Sequence, residues 1–179
     1  MLAPSHAQGT PLFMDCHFKT LFLEVPHPQP TMSIQHLTGD ATRPVGDGNK
    51  IIAHVCNDGG KWGKGFIPAV SKRWWQPEAE YRKWALRDSL KLGSVHLVPV
   101  RKGIFVANMV AQHDNEPSVR CDALLECLKE LGFHAHQRNA SIHMPRFGCE
   151  KWEPVEKLLA DTLPGTEVFV YDLPESIGG

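Results

Sequence analysis

The run His54-Val55-Cys56-Asn57-Asp58-Gly59-Gly60-Lys61-Trp62-Gly63-Lys64-Gly65-Phe66 decides the fold: an apolar β-like segment empties into a loop rich in glycine and then into a helix-like stretch. Glycine permits positive φ and close approach of the main chain to a ligand. A helix start adds unpaired amides at the positive end of its dipole. The run therefore predicts a strand, an anion-binding loop and a helix, with a phosphate-bearing ligand as the natural inference. Taken alone, the glycines also read as an ordinary turn.

Outward from this run, apolar stretches at Ile34 to Leu37, Ile51 to Cys56, Val95 to Val100, Ile104 to Ala111, Ser141 to Met144 and Val168 to Tyr171 read as strands. Between several of them lie residues near a 3.6-residue repeat: Tyr81, Trp84 and Ala85; Leu124, Cys127, Leu128 and Leu131; Val155, Leu158, Leu159 and Thr162. Gly132 and Gly165 are expected to stop two of these helices, and Pro154 suits a first helical turn. Alternating strands and helices imply an α/β sheet covered on both faces, with ligands beyond the strand ends. Lys102-Gly103 most simply makes a hairpin, so a central mixed sheet is expected.

At 179 residues the chain is long enough for one domain with a sizeable core. A formal net charge of −1 gives no global basic field for nucleic acid, so any polyanion contact must be local. Lys72-Arg73-Trp74-Trp75 comes nearest to a basic and aromatic platform, and those tryptophans are expected to pack against the core. Direct nucleic-acid binding is not expected. No apolar run approaches the roughly 20 residues that span a bilayer, so no membrane contact is expected and a cytoplasmic location is. The 5 cysteines have no tight repeating spacing and read as reduced thiols. His134-Ala135-His136 with His143 lacks a matching Cys or carboxylate set, and neither a metal nor a cofactor is assigned.

Two further segments sharpen the ligand. Thr38-Gly39-Asp40-Ala41-Thr42 follows the first strand, and Met144-Pro145-Arg146-Phe147-Gly148-Cys149 follows a later one. Together with the glycine loop, Ala111-Gln112-His113 and the terminal Val170-Tyr171, in this order, they resemble a macrodomain. The likeness is to the type found in the amplified-in-liver-cancer chromatin remodeller and the terminal ADP-ribose protein glycohydrolase. It covers about residues 33 to 173, leaving 1–32 as an N-terminal extension, expected to be poorly ordered, and 174–179 as a C-terminal tail. It implies a three-layer α/β/α fold and ADP-ribose, or an ADP-ribosylated protein, as partner.

The resemblance also implies roles. Asp40 would accept a hydrogen bond from the adenine amino group, with the Ala41 amide facing the base; by itself Asp40 reads as a turn cap. Trp62, Gly63, Lys64, Gly65 and Phe66 match the loop around the distal ribose and pyrophosphate. Trp62 reads equally as core packing, and Lys64 as a solvated side chain. Arg146, Phe147, Gly148 and Cys149 would close over the phosphates from the other side, unless Arg146 pairs with a carboxylate inside the fold. Tyr171 would flank adenine, and Gln112 would line the base or ribose pocket.

Cleaving an ADP-ribosyl ester requires charge stabilisation at the anomeric carbon and a positioned nucleophile or water. Asn57 and Asp58 are the candidates, an Asn to orient water and an Asp to take its proton, although Asn-Asp-Gly-Gly is also a common turn. The glycohydrolase's lysine nucleophile would fall near Lys72. Its aspartate has no clear counterpart, because Cys149 is followed by Glu150-Lys151-Trp152. A small chain with no attached effector favours an eraser of mono-ADP-ribose on Asp and Glu. A non-catalytic reader and an ADP-ribose-1″-phosphate phosphatase are the alternatives.

Overall fold

The computed structural model describes residues 33–114, 116, 118–147 and 151–173. The 1–32 extension, the 174–179 tail, Gly148 and Cys149 lie outside the described residues. Six strands and four helices follow in the order β1 (Ser33–Thr38), β2 (Asn49–Asn57), α1 (Ile67–Arg73), α2 (Gln76–Arg87), β3 (Val95–Arg101), β4 (Ile104–Gln112), α3 (Cys121–Arg138), β5 (Ala140–Pro145), α4 (Glu153–Thr162) and β6 (Glu167–Asp172). They form one mixed sheet in the order β1-β6-β5-β2-β4-β3. All neighbours are parallel except β3 and β4, which pair antiparallel around the Lys102-Gly103 turn.

The apolar runs of β2 and β4 are buried on both faces because the sheet is covered twice. Ile51 and Ala53 pack with Ala107, Met109 and the apolar stripe of α3 and α4. Ile52 and Val106 point the other way, onto Val70 of α1. The period-2 alternation of the strand thus assigns successive residues to the two helical layers. Edge strand β3 carries Pro99 beside a register shift, where a missing donor costs the ladder little.

One expected boundary is wrong. α3 does not stop at Gly132 but runs on to Arg138 and ends at Asn139, a left-handed residue with φ 46°. Gly132 serves packing instead: a Cβ there would sit 2.9 Å from Cδ2 of Leu163, just after α4. The next buried residue, Ala135, keeps the helix on the sheet.

Candidate functional site

The parallel strands β1, β2, β5 and β6 point their C-terminal ends at a cavity of about 750 Å³. Three loops wall it: Gly39 to Ala41 after β1, Lys64 to Ala69 through the start of α1, and Pro145 to Phe147 after β5. The ends of β4 and β6 contribute Gln112 and Tyr171 to Leu173. Of the residues singled out in the sequence, Asp40, Ala41, Lys64, Gly65, Phe66, Gln112, Arg146, Phe147 and Tyr171 come together here. Trp62, Gly63, Asn57 and Asp58 are not part of the cavity lining.

At one end, the Gly39 amide donates to the carbonyl of Asp172 at 2.8 Å, tying the first loop to the end of β6. Asp40 Oδ1 accepts from the Thr42 amide at 2.9 Å, a local cap that leaves Oδ2 facing only Arg43 at 3.8 Å. Tyr171 walls this end; its hydroxyl accepts from the Val45 amide at 3.3 Å and is bonded to Nδ1 of His143 at 2.9 Å. Burial, helped by the Lys50 charge, pushes His143 down to about 4, so the ring below Tyr171 is neutral. His143 Nε2 meets Ser141 Oγ at 2.9 Å, and its face stacks on Phe169 with centroids 4.6 Å apart.

The glycine loop is built by the two residues expected to do chemistry. Asn57 Oδ1 accepts from the amides of Gly59 and Lys61 at 3.0 and 3.3 Å, while its Nδ2 donates to the Lys61 carbonyl at 2.6 Å. Asp58 Oδ2 is 2.6 Å from His113 Nδ1, and Oδ1 accepts from the Asp114 amide at 2.9 Å. Burial raises the Asp58 carboxyl, but these bonds outweigh it and hold the group below the usual carboxylate range. Lys61 Nζ reaches Asp114 at 2.7 Å, closing the loop onto the end of β4. All the side-chain polar atoms of Asn57 and Asp58 are thus engaged by the loop and its neighbour in this structure.

Trp62 packs. Its ring meets His54 edge-on at 5.5 Å and Tyr81 at 5.4 Å, and Nε1 donates to Ser71 Oγ at 2.7 Å. Lys72 is exposed on the last turn of α1, outside the cavity lining. Trp74 is partly buried against the α1 cluster, but Trp75 is 71% exposed, contrary to the expected packing of both tryptophans. Of the two adjacent indoles between α1 and α2, Trp74 turns inward and Trp75 outward.

Arg146 takes the internal reading. Its Nε and Nη2 donate to Oδ1 and Oδ2 of Asp172 at 2.5 and 2.9 Å, and its guanidinium lies 4.9 Å from the Trp152 ring centroid. The Arg146 amide donates to the Tyr171 carbonyl at 3.0 Å, so the turn after β5 is anchored on β6 by main chain and side chain. Asp172 and His54 were not picked out in the sequence. His54 lines the cavity from within the sheet, bonded through Nε2 to Asn108 Oδ1 at 2.7 Å, its register partner on β4. Burial pushes it down to about 4. The one sequence signal for this pair is a polar residue at an inward position of each apolar strand.

No family model matches the chain. A macrodomain protein from Streptomyces coelicolor is 44% identical with a TM-score of 0.73, over 78% of this chain and 99% of that one. The mouse chromodomain-helicase-DNA-binding protein 1-like is 32% identical over 80% of this chain, which spans only 18% of that relative's length. An ADP-ribose 1″-phosphate phosphatase from Lodderomyces elongisporus is 24% identical over 78% of this chain and 98% of its own length. With the cavity at the strand ends and its three walls in order, the chain belongs to the macrodomain family of ADP-ribose-binding α/β modules.

Proposed function

We propose that this chain binds ADP-ribose in the cavity and hydrolyses mono-ADP-ribose from Asp and Glu side chains of proteins. The observation that carries the reading is one cavity with an acidic acceptor, Asp40, at one end and the glycine loop facing the Pro145–Phe147 turn at the other. In this reading Asp40 Oδ2, whose nearest charged neighbour is Arg43 at 3.8 Å, accepts from the adenine amino group. The main chain of Gly65, Phe66 and Phe147 supports the pyrophosphate, with Lys64 supplying charge.

At the distal end, Gln112 Nε2 donates to the Glu116 carbonyl at 2.6 Å, which leaves its Oε1 to hold a water. That water's oxygen bonds to the anomeric carbon. The bond from that carbon to the ester oxygen breaks, the protein carboxylate leaves with the electron pair, and the water's proton passes to solvent. Asn57 and Asp58 contribute by fixing the loop beside it, Asp58 through the amide of Asp114, two residues after Gln112.

Phosphate release from ADP-ribose-1″-phosphate is the second reading, favoured by similarity to the yeast phosphatase along nearly all of that protein. A mass-spectrometric time course on a protein mono-ADP-ribosylated at Glu or Asp tests the proposal. Free ADP-ribose and the unmodified protein should accumulate. An intact modification that stays bound to the domain would make it a reader, and phosphate release from the 1″-phosphate alone would make it the phosphatase.

A further inference from the structure

The stretch from Gly59 to Pro77 contains Lys61, Lys64, Lys72 and Arg73 and not one Asp or Glu. Lys61 is paired with Asp114, and Lys64 lines the cavity. Lys72 and Arg73 are left, three and four residues after Ala69, which itself lines the cavity. That spacing puts them on the same side of α1, about 5.4 Å further along its axis.

Neither has an acidic partner among the described residues, whereas most cations of the other helices do; Arg138, at the end of α3, instead bonds His134 and lies over Phe105. Arg82 and Lys83 pair with Glu78 and Glu80, Lys129 with Glu126 and Lys157 with Asp161. Arg73 instead lies 5.3 Å from the Trp74 ring centroid, and Trp75 stands 71% exposed beside it. An unneutralised basic strip ending in an exposed indole thus leaves the cavity along α1. ADP-ribose inside the cavity accounts for Lys64 but reaches none of Lys72, Arg73 and Trp75, which are absent from its lining.

We infer that Lys72, Arg73 and Trp75 form a docking strip for the polypeptide that carries the ADP-ribose, and that the segment bound there is acidic. This rests on the hydrolase reading, because an acceptor that is itself Asp or Glu sits among carboxylates wherever such residues cluster. Charge complementarity then selects the segment, and the indole supplies the large apolar contact that commonly anchors an interface.

The test uses a fluorescein-labelled Glu-rich peptide with no ADP-ribose attached, followed by anisotropy, and the same peptide esterified with ADP-ribose on one Glu, followed by turnover. The wild-type protein should bind the plain peptide, more weakly as salt rises. The Arg73→Glu, Trp75→Ala variant should lose about tenfold in that affinity and show a similar rise in KM, with kcat and the Kd for ADP-ribose unchanged. Trp75→Ala alone, at an exposed position, should give a smaller loss at an unaltered melting temperature.

Equal peptide affinity in wild type and variants would overturn the inference, as would an equal loss of ADP-ribose affinity. Tighter, variant-sensitive binding of a single-stranded oligonucleotide would replace the peptide by nucleic acid. Peptide binding through the strip without turnover of the ester would fell the hydrolase reading and leave the strip standing.

Discussion

Arg146 and Asp172 form a bidentate pair at the cavity rim, with Nε and Nη2 donating to the two carboxylate oxygens at 2.5 and 2.9 Å. Hydrogen bonding from Arg146 holds the Asp172 carboxyl below its usual range, so both partners are charged near neutrality. An arginine beside a phosphate site invites a direct role, but here its fork is already occupied by a carboxylate. Its contribution is the position of the turn after β5.

The pair should therefore behave as a unit. Arg146→Ala and Asp172→Ala are each expected to weaken ADP-ribose binding several-fold, and the double variant should be little worse than either. Both side chains are partly exposed, so the stability cost of each should stay near 1 kcal/mol or below. Calorimetric titration of the four proteins checks this as a double-mutant cycle. Full additivity would mean that Arg146 contacts the ligand itself.

Asp40→Ala should weaken ADP-ribose binding at least tenfold, in line with about 1.5–3 kcal/mol for a hydrogen bond to a charged group. The melting temperature should fall only slightly, because the structural bond lost is one cap to the Thr42 amide. Unchanged affinity would reduce Asp40 to a turn residue.

The loops that wall the cavity were legible because their cause is local. Glycines at Gly39 and Gly65 mark where the chain leaves a strand or enters a helix, and the apolar periods fix which ends those are. Partners across the sheet were not legible. Asp172 lies 26 positions from Arg146, and their meeting depends on β5 and β6 pairing in parallel with Pro145 opposite Tyr171. The partners of Asp58 were equally hidden, since an Asp in such a loop serves a turn or a reaction depending on what the segment after β4 presents. His113 and Asp114 are that context. Gly132 misled because its small size signals a helix end in sequence but a helix crossing in space.

Gly59→Ala gives a test of the loop's fit. A Cβ at Gly59 would press against Cγ, Cβ and Oδ2 of Asp114 inside van der Waals contact. The substitution must displace Asp114, break its pair with Lys61 and shift the amide that Asp58 receives. Destabilisation of about 1–3 kcal/mol is expected from such overpacking, together with slower turnover of an ADP-ribosyl ester. Chemical denaturation and a single-turnover assay separate the two. Native turnover in a destabilised protein would place the reaction away from this loop.

Acid should weaken the fold through its buried imidazoles. His54 and His143 are each pushed down to about 4 by burial, against 6.5 in an unfolded chain. As pH falls through 6.5 the unfolded state takes up protons that the folded state refuses, so stability is full above that value and drains away towards pH 4. At about 1.36 kcal/mol per unit, His54 alone accounts for a loss of about 3 kcal/mol across the window. Thermal unfolding at half-unit steps from pH 7.5 to 4 should show the decline. His143→Gln, which removes one of the two groups pushed down to about 4, should make the slope shallower even though it lowers stability at pH 7.5 by breaking the bond to Tyr171. An unaltered slope would mean that His143 takes up its proton in the folded state, with the Tyr171 hydroxyl turned to accept it.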